Sequence, residues 1–317
     1  MIETKDNYLL MALHQTSGHW RLGLALSLVT TLLWGVLPIT LAVALQALDV
    51  YTVTWFRFLI AFGLLAVYLA ARHQLPSLQK LRSASLKLLA IATVFLGLNY
   101  LFFLQGLVQT SPTTSEIVIQ LAPVLMGLGA IAVFKERYTL HQWIGLGVLV
   151  LGLALYFHGQ LETVITAQAT YVVGNTLLVL ASVVWAVYAL AQKQLLQKLP
   201  SSTIMLVIYG GCALLFSPFT KPQALLSLSP LHFVMLLLCG LNTLVAYGAF
   251  AEALDHWEAS RVSAVLALTP LVTLVAVWAV SYFTPTLLAP ERLTTLGVLG
   301  AVFVAIGSIA IALGENR

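Results

Sequence analysis

The apolar positions of this chain neither alternate nor follow one helical face. They run on in ten long stretches, approximately 22–45, 51–71, 88–108, 112–134, 140–158, 170–192, 202–219, 231–254, 259–283 and 293–314. Charge, Pro or Gly closes most of them, as in RHQLPSLQKLRSASLK (72–87) and KERYTLHQ (135–142). Runs of this length match the hydrocarbon thickness of a bilayer when coiled as helices. Lipid offers no partner for backbone N–H and C=O groups, so each run must satisfy them internally, as a helix does. Period-two alternation, the mark of a membrane barrel, is absent. The pattern predicts an all-α membrane protein with ten transmembrane helices.

Composition removes the competing classes. The 317 residues are 60% hydrophobic and 8% charged, against about 45–50% and about 25% in soluble domains. A soluble enzyme, a nucleic-acid binder and a disordered chain are excluded. The net charge of +4 comes from scattered Lys and Arg that form no basic stripe, so no nucleic-acid partner is expected. Their placement orients the chain instead. With a cytoplasmic N-terminus, the inner segments hold Lys5, Arg21, Arg72, Lys80, Arg82, Lys87, Lys135, Arg137, Lys193, Lys198, Arg261 and Arg317. The outer loops hold only Lys221 and Arg292. Both termini are therefore expected in the cytoplasm. The first run is too long for a signal peptide and lacks a cleavage pattern. Cys212 and Cys239 lie inside apolar runs and read as packing residues. No GxxxxGK[ST] appears, so no ATP is expected.

The halves repeat. Gly23 and Trp34 recur as Gly174 and Trp185; Tyr100, Phe103, Leu107 and Pro123 recur as Tyr247, Phe250, Leu254 and Pro270. Glu136, Arg137, Gly145 and Gly152 recur as Glu291, Arg292, Gly300 and Gly307. The division expected is a tail (1–21), a five-helix repeat (22–158), an outer linker (159–169), a second five-helix repeat (170–314) and a short tail (315–317). Five is odd, so the second half enters the membrane inverted relative to the first. Inverted repeats around a midplane site are a common architecture of secondary transporters.

At FRFLIAF (56–62), LNYLFFLQGL (98–107), LAPVLMGLGAIAVFKE (121–136), AYGAFAEAL (246–254) and LALTPLVTLVAV (266–277) the chain resembles the drug/metabolite transporter superfamily, in its ten-helix EamA-type branch. The likeness covers nearly the whole chain. It implies export or exchange of small metabolites, often amino acids, through a cavity among spans 1, 3, 4, 6, 8 and 9. Two features depart from the pattern: the final Glu comes late, after SYFTPTLLAP (281–290), and the fourth span carries an acid.

Ionisable residues inside spans are costly and mark function by default. Three qualify: Arg57, Glu116 and Glu252. Arg57 lies about 9 Å and Glu116 about 6 Å inside the outer surface at 1.5 Å per residue. They are expected to pair in one conformational state, with substrate or a proton competing for Glu116. The competing reading is a fixed structural pair, or two side chains snorkelling separately. Glu252 reads as part of a solvated helix end beside Asp255, His256 and Glu258. No second ligand cluster completes a metal site there, so neither metal nor cofactor is expected.

The pocket candidates are aromatic and amide residues: Trp34, Asn99, Tyr100, Gln105, Gln120, Trp185, Tyr188, Asn242 and Tyr247. A small-molecule site needs an apolar wall with a few placed polar groups. Pro123 and Pro270, placed mid-span, must each free a backbone carbonyl and are candidate hinges. The expected protein is a secondary transporter, not an enzyme, in the membrane of a bacterial cell, most simply the inner one. It moves a small metabolite, an amino acid or related solute, by alternating access and in the export direction. Protons or a counter-solute are candidate coupling partners. A carrier of cationic drugs is the alternative within the class. An intramembrane enzyme or a non-transporting scaffold is the alternative outside it, although HExxH, GxGD and GxSG are all absent.

Overall fold

The structure, a computed structural model, describes residues 16–77, 81, 84–135, 137–166, 169–285, 287 and 294–313. Lys5, Lys80, Arg82, Glu136, Glu291, Arg292 and Arg317 lie outside the described residues, as do most of the first tail and the whole of the last. Among the described residues the regular structure is helical, with no strand. In chain order the helices are α1 (Trp20–Ala44), α2 (Val50–Ala71), α3 (Leu86–Gln109), α4 (Pro112–Val118), α5 (Leu121–Phe134) and α6 (Leu140–Thr166). The second half supplies α7 (Ala169–Leu195), α8 (Ser201–Phe216), α9 (Pro230–His256), α10 (Ala259–Leu266), α11 (Thr269–Phe283) and α12 (Thr295–Leu313).

Polar caps start several of these helices. The Asp49 carboxylate accepts from Thr52 N at 3.0 Å ahead of α2, and Ser111 Oγ from Thr114 N at 3.1 Å ahead of α4. Each cap occupies a backbone donor that the first turn leaves without a partner. Among the described residues, eight stretches are long and apolar enough to cross a bilayer, and α6 and α12 add shorter apolar runs, Leu140–Tyr156 and Thr295–Gly307. Large apolar side chains point outward along them, such as Val67 at 69% exposed and Leu214 at 75%. Lipid permits that arrangement where water would not.

Three expectations change. The fourth and ninth spans are not single helices: α4 gives way to α5 at Ile119–Gln120, and α10 to α11 at Ala267–Leu268. Pro123 and Pro270 therefore sit in the first turn of a new helix rather than in mid-helix, where their missing N–H is tolerated. The carbonyl each would otherwise leave idle is occupied locally. Ile119 O accepts from Ala122 N at 2.7 Å, and Leu266 O accepts from the Thr269 hydroxyl. Second, helix α6 continues through 159–166, which the sequence places in the outer linker. Third, Lys193 is no loop cation: it lies in the last turn of α7, 1% exposed, its ammonium 5.7 Å from the Phe134 ring centroid. Its alkyl stem keeps it compatible with an apolar surround.

The packing is reciprocal. Helix α1 lies along α9 and α3 along α7; α11 packs on α1 and α5 on α7; α4 meets α11 and α10 meets α5. Exchanging every helix for its repeat counterpart turns each of these contacts into another of the set. The α6–α12 contact maps onto itself. There a Cβ on Gly145 would stand 2.8 Å from Gly307 O, and one on Gly152 would stand 2.7 Å from Gly300 O. Only hydrogen fits between backbones this close.

Candidate functional site

Between α1, α2, α3, α7, α9 and the two broken helices lies a cavity with about 590 Å³ of empty space, counting its mouth. Residues at or beside the two breaks, Ile119, Gln120, Leu266 and Thr269, all line it. Its aromatic wall is Trp34, Tyr100, Phe103, Trp185 and Tyr247. Trp34 meets Trp185 edge-on at 5.7 Å between ring centroids, and Tyr100 meets Tyr247 at 5.5 Å. Each pair joins residues that the repeat makes equivalent.

Two charged side chains open into this wall. Arg57, 2% exposed, enters from α2, and Glu116, 4% exposed, from the short helix α4. No ion pair joins them among the described residues. Arg57 Nε donates instead to Thr243 Oγ1 at 3.0 Å, and the guanidinium carbon stands 4.3 Å from the centre of the Tyr100 ring. Tyr100 donates its hydroxyl to the same Thr243 oxygen at 3.3 Å, and Thr243 donates its own proton to Cys239 O at 2.9 Å. Glu116 Oε1 accepts from Gln120 Nε2 at 3.1 Å, which leaves Oε2 without a partner among the described residues. Two more buried polar atoms of lining residues, Trp34 Nε1 and Gln120 Oε1, have no hydrogen-bond partner among the described residues. A donor and an acceptor thus wait beside a cation and an anion, in a site walled by rings. Buried polar atoms in this condition are costly unless a ligand or water meets them.

Of the residues singled out from sequence, Trp34, Arg57, Asn99, Tyr100, Glu116, Gln120, Pro123, Trp185 and Tyr247 line the cavity. Asn99 also donates to Ala181 O at 3.1 Å and so ties α3 to α7. Gln105 and Asn242 do not line it. Gln105 follows Tyr100 by five residues and Asn242 precedes Tyr247 by five, which rotates each about 140° from the cavity face of its helix. Asn242 Nδ2 reaches Leu33 O at 2.6 Å on another side of α9. Tyr188 backs the wall rather than forming it. It is buried behind Trp185, with its hydroxyl on Met205 Sδ at 3.7 Å. Pro270 lies outside the lining, next to Thr269, which is part of it.

Glu252 is remote from the cavity, at the end of α9. It accepts from the Ser201 hydroxyl and lies 3.9 Å from His256 Nε2, its side chain 46% exposed. Glu252, Asp255 and His256 bring donor atoms within 4.8 Å of one another there, while Ser17 Oγ holds His256 Nδ1 at 2.7 Å. Sequence reading missed Thr243, the shared partner of Arg57 and Tyr100. Its position one turn before Tyr247 was the available signal, since i and i+4 share a helix face.

Two segments of the chain, 21–157 and 172–313, each match the EamA-like transporter family. An uncharacterized transporter of Haemophilus influenzae is 36% identical over 295 residues, spanning 93% of this chain and 96% of that protein. The uncharacterized inner membrane transporter YhbE of Escherichia coli K12 is 38% identical over 296 residues, 93% of this chain and 92% of its own length. A protein of Salmonella typhimurium named "Probable amino-acid metabolite efflux pump" is 24% identical and covers 89% of the chain and 92% of itself. A solved structure described only as "Crystal structure of protein" superposes with a TM-score of 0.68 at 15% identity, over 92% of this chain and 98% of that one; it shares the fold. The apolar helices and these relatives make this a multi-pass protein of the bacterial inner membrane and a member of the drug/metabolite transporter superfamily. The chain belongs to the EamA-like transporter family.

Proposed function

We propose that the protein is a secondary carrier that exports a small zwitterionic metabolite of the amino-acid type by alternating access. The observation that carries this reading is the separation of Arg57 and Glu116 in one cavity. A cation and an anion are both withdrawn from water, and neither neutralises the other. A ligand of one sign would satisfy one and leave the other alone, whereas a zwitterion offers a carboxylate to the guanidinium and an ammonium to Glu116. Arg presents a planar fork matched to a carboxylate. The aromatic wall of Trp34, Tyr100, Phe103, Trp185 and Tyr247 suits an apolar side chain. The name of the Salmonella relative agrees with the solute class and with export.

The reciprocal packing supports two inverted five-helix repeats, ten spans in all, and the distribution of Lys and Arg supports both termini in the cytoplasm. In such a frame, rocking one half against the other exposes the same site first to one face and then to the other. The broken helices α4/α5 and α10/α11 lie where that movement needs adjustable backbone. A cationic-drug carrier is disfavoured by Arg57, whose charge would repel the substrate.

Counterflow in proteoliposomes tests the reading. Vesicles loaded with one of a panel of neutral amino acids should accelerate uptake of a labelled one with saturation. A panel of decarboxylated amines and of deaminated acids should not. Transport of the amines with the amino acids inert would overturn it.

A further inference from the structure

The seam between α1 and α9 carries a second hollow, on the outside of the bundle. It holds about 840 Å³ of empty space, counting its open side, and is walled by Leu32, Val36, Leu37, Leu241 and Val245, with Thr40 and Asn242 among them. Leu32, Val36, Leu241 and Val245 are exposed on helices of membrane-spanning length, so the hollow opens toward lipid. Thr40 and Asn242 are the polar residues of this wall; the Thr40 hydroxyl is satisfied, donating to Leu37 O at 2.8 Å and accepting from Cys239 Sγ at 3.3 Å, and Asn242 is not. Its Nδ2 is committed to Leu33 O at 2.6 Å, which fixes the amide plane, while Oδ1 is buried without a partner among the described residues. A strong acceptor held in hydrocarbon asks for a donor. Leu37 lines both this hollow and the central cavity, a shared wall between them.

We infer that the α1–α9 groove is a binding site for a membrane-dissolved amphiphile. Its apolar body lies between the two helices, and its single hydroxyl or N–H group donates to Asn242 Oδ1. A bulk acyl chain fills such a groove but brings no donor to depth. A second copy of the chain is a poor occupant, since the exposed positions of α1 and α9 that border the groove are apolar and would bring no donor either. This site does not depend on what the central cavity carries.

Full-length protein in phospholipid vesicles is photolabelled with a diazirine-bearing octanol, alongside its methyl ether, which has the same body and no donor. The expected result is saturable labelling within 32–40 and 238–245, at least tenfold weaker for the ether and for Asn242→Leu. Leu241→Trp fills the groove without touching the amide or the cavity, and should abolish the labelling while leaving the melting temperature near that of the parent. Equal labelling by alcohol and ether, or even labelling over all lipid-facing helices, overturns the site as an ordinary lipid groove. Efficient disulfide cross-linking of Leu241→Cys between two chains overturns it in favour of a second copy.

Discussion

Arg57 stands over the face of Tyr100, its guanidinium carbon 4.3 Å from the ring centre, and shares Thr243 Oγ1 with the tyrosine hydroxyl. The arginine is thus held from below by a ring and from the side by a hydroxyl. Its Nε is consumed, and the two terminal amino groups keep no hydrogen bond among the described residues. A planar cation pinned in this way is preorganised for a carboxylate, because little side-chain freedom remains to be lost on binding. Thr243 sets the direction and Tyr100 the height.

Replacing Arg57 by Lys keeps the charge but loses the fork and most of the stacking. We expect KM for the transported zwitterion to rise at least tenfold, about 1.4 kcal/mol, with a smaller change in maximal counterflow. Thr243→Val, close in shape, removes the anchor and should move KM the same way, and Thr243→Ser should restore it. Concentration series of counterflow for the three variants decide the point. Equal KM in Thr243→Val and the parent would show that the anchor is merely structural.

Glu116→Gln keeps an oxygen for Gln120 Nε2 and removes the charge. If Glu116 meets the substrate ammonium, affinity for zwitterions falls by about tenfold or more, as expected for losing a charge-assisted bond of about 1.5–3 kcal/mol. If it also exchanges a proton, an imposed pH gradient should no longer change the counterflow rate. Measuring rate against gradient in the variant and the parent separates these outcomes. A variant with parental affinity and parental gradient dependence would remove Glu116 from both roles.

Much of this arrangement is legible in the sequence, for physical reasons. Lipid leaves the backbone one local solution, so the apolar runs become helices close to the expected places. Trp34 and Trp185, and Tyr100 and Tyr247, are paired by the repeat and do meet in the structure. Hydropathy cannot show the breaks at Ile119–Gln120 and Ala267–Leu268, because three of those four residues are as apolar as their neighbours. Pro123 and Pro270 are the only local signs, and by sequence alone they read as kinks. Pairing of Arg57 with Glu116 rests on depth alone. Depth along a helix says nothing of azimuth, and azimuth gives Arg57 to Thr243. The same blindness puts Gln105 and Asn242 in the expected pocket.

The α6–α12 seam rests on glycines whose hydrogens are all that separate the backbones. Gly307→Leu would place side-chain atoms into Leu149 and Gly145, since even a Cβ there falls 2.5 Å from Leu149 N and 2.6 Å from Gly145 O. Overpacking of this kind costs about 1–3 kcal/mol or more. The detergent-solubilised variant should melt several degrees below the parent. At Gly147, by contrast, nothing lies within 4 Å of an added methyl; Gly147→Ala should melt with the parent or slightly above it. A seam variant that melts normally would mean that α6 and α12 do not approach this closely.

Topology is the frame for the proposed alternating access and has a direct test. Lys198 follows α7 and Lys221 follows α8, both exposed. One crossing, α8, separates them, so a membrane-impermeant maleimide must reach their cysteine variants from opposite sides. The native thiols do not interfere, because Cys212 and Cys239 are both buried. The distribution of Lys and Arg predicts Lys198 on the cytoplasmic side. Intact cells should therefore label Lys221→Cys and leave Lys198→Cys unmodified, and inverted vesicles should reverse the result. Labelling of both from one side would mean that α8 does not cross. Labelling of opposite sign would place the termini outside.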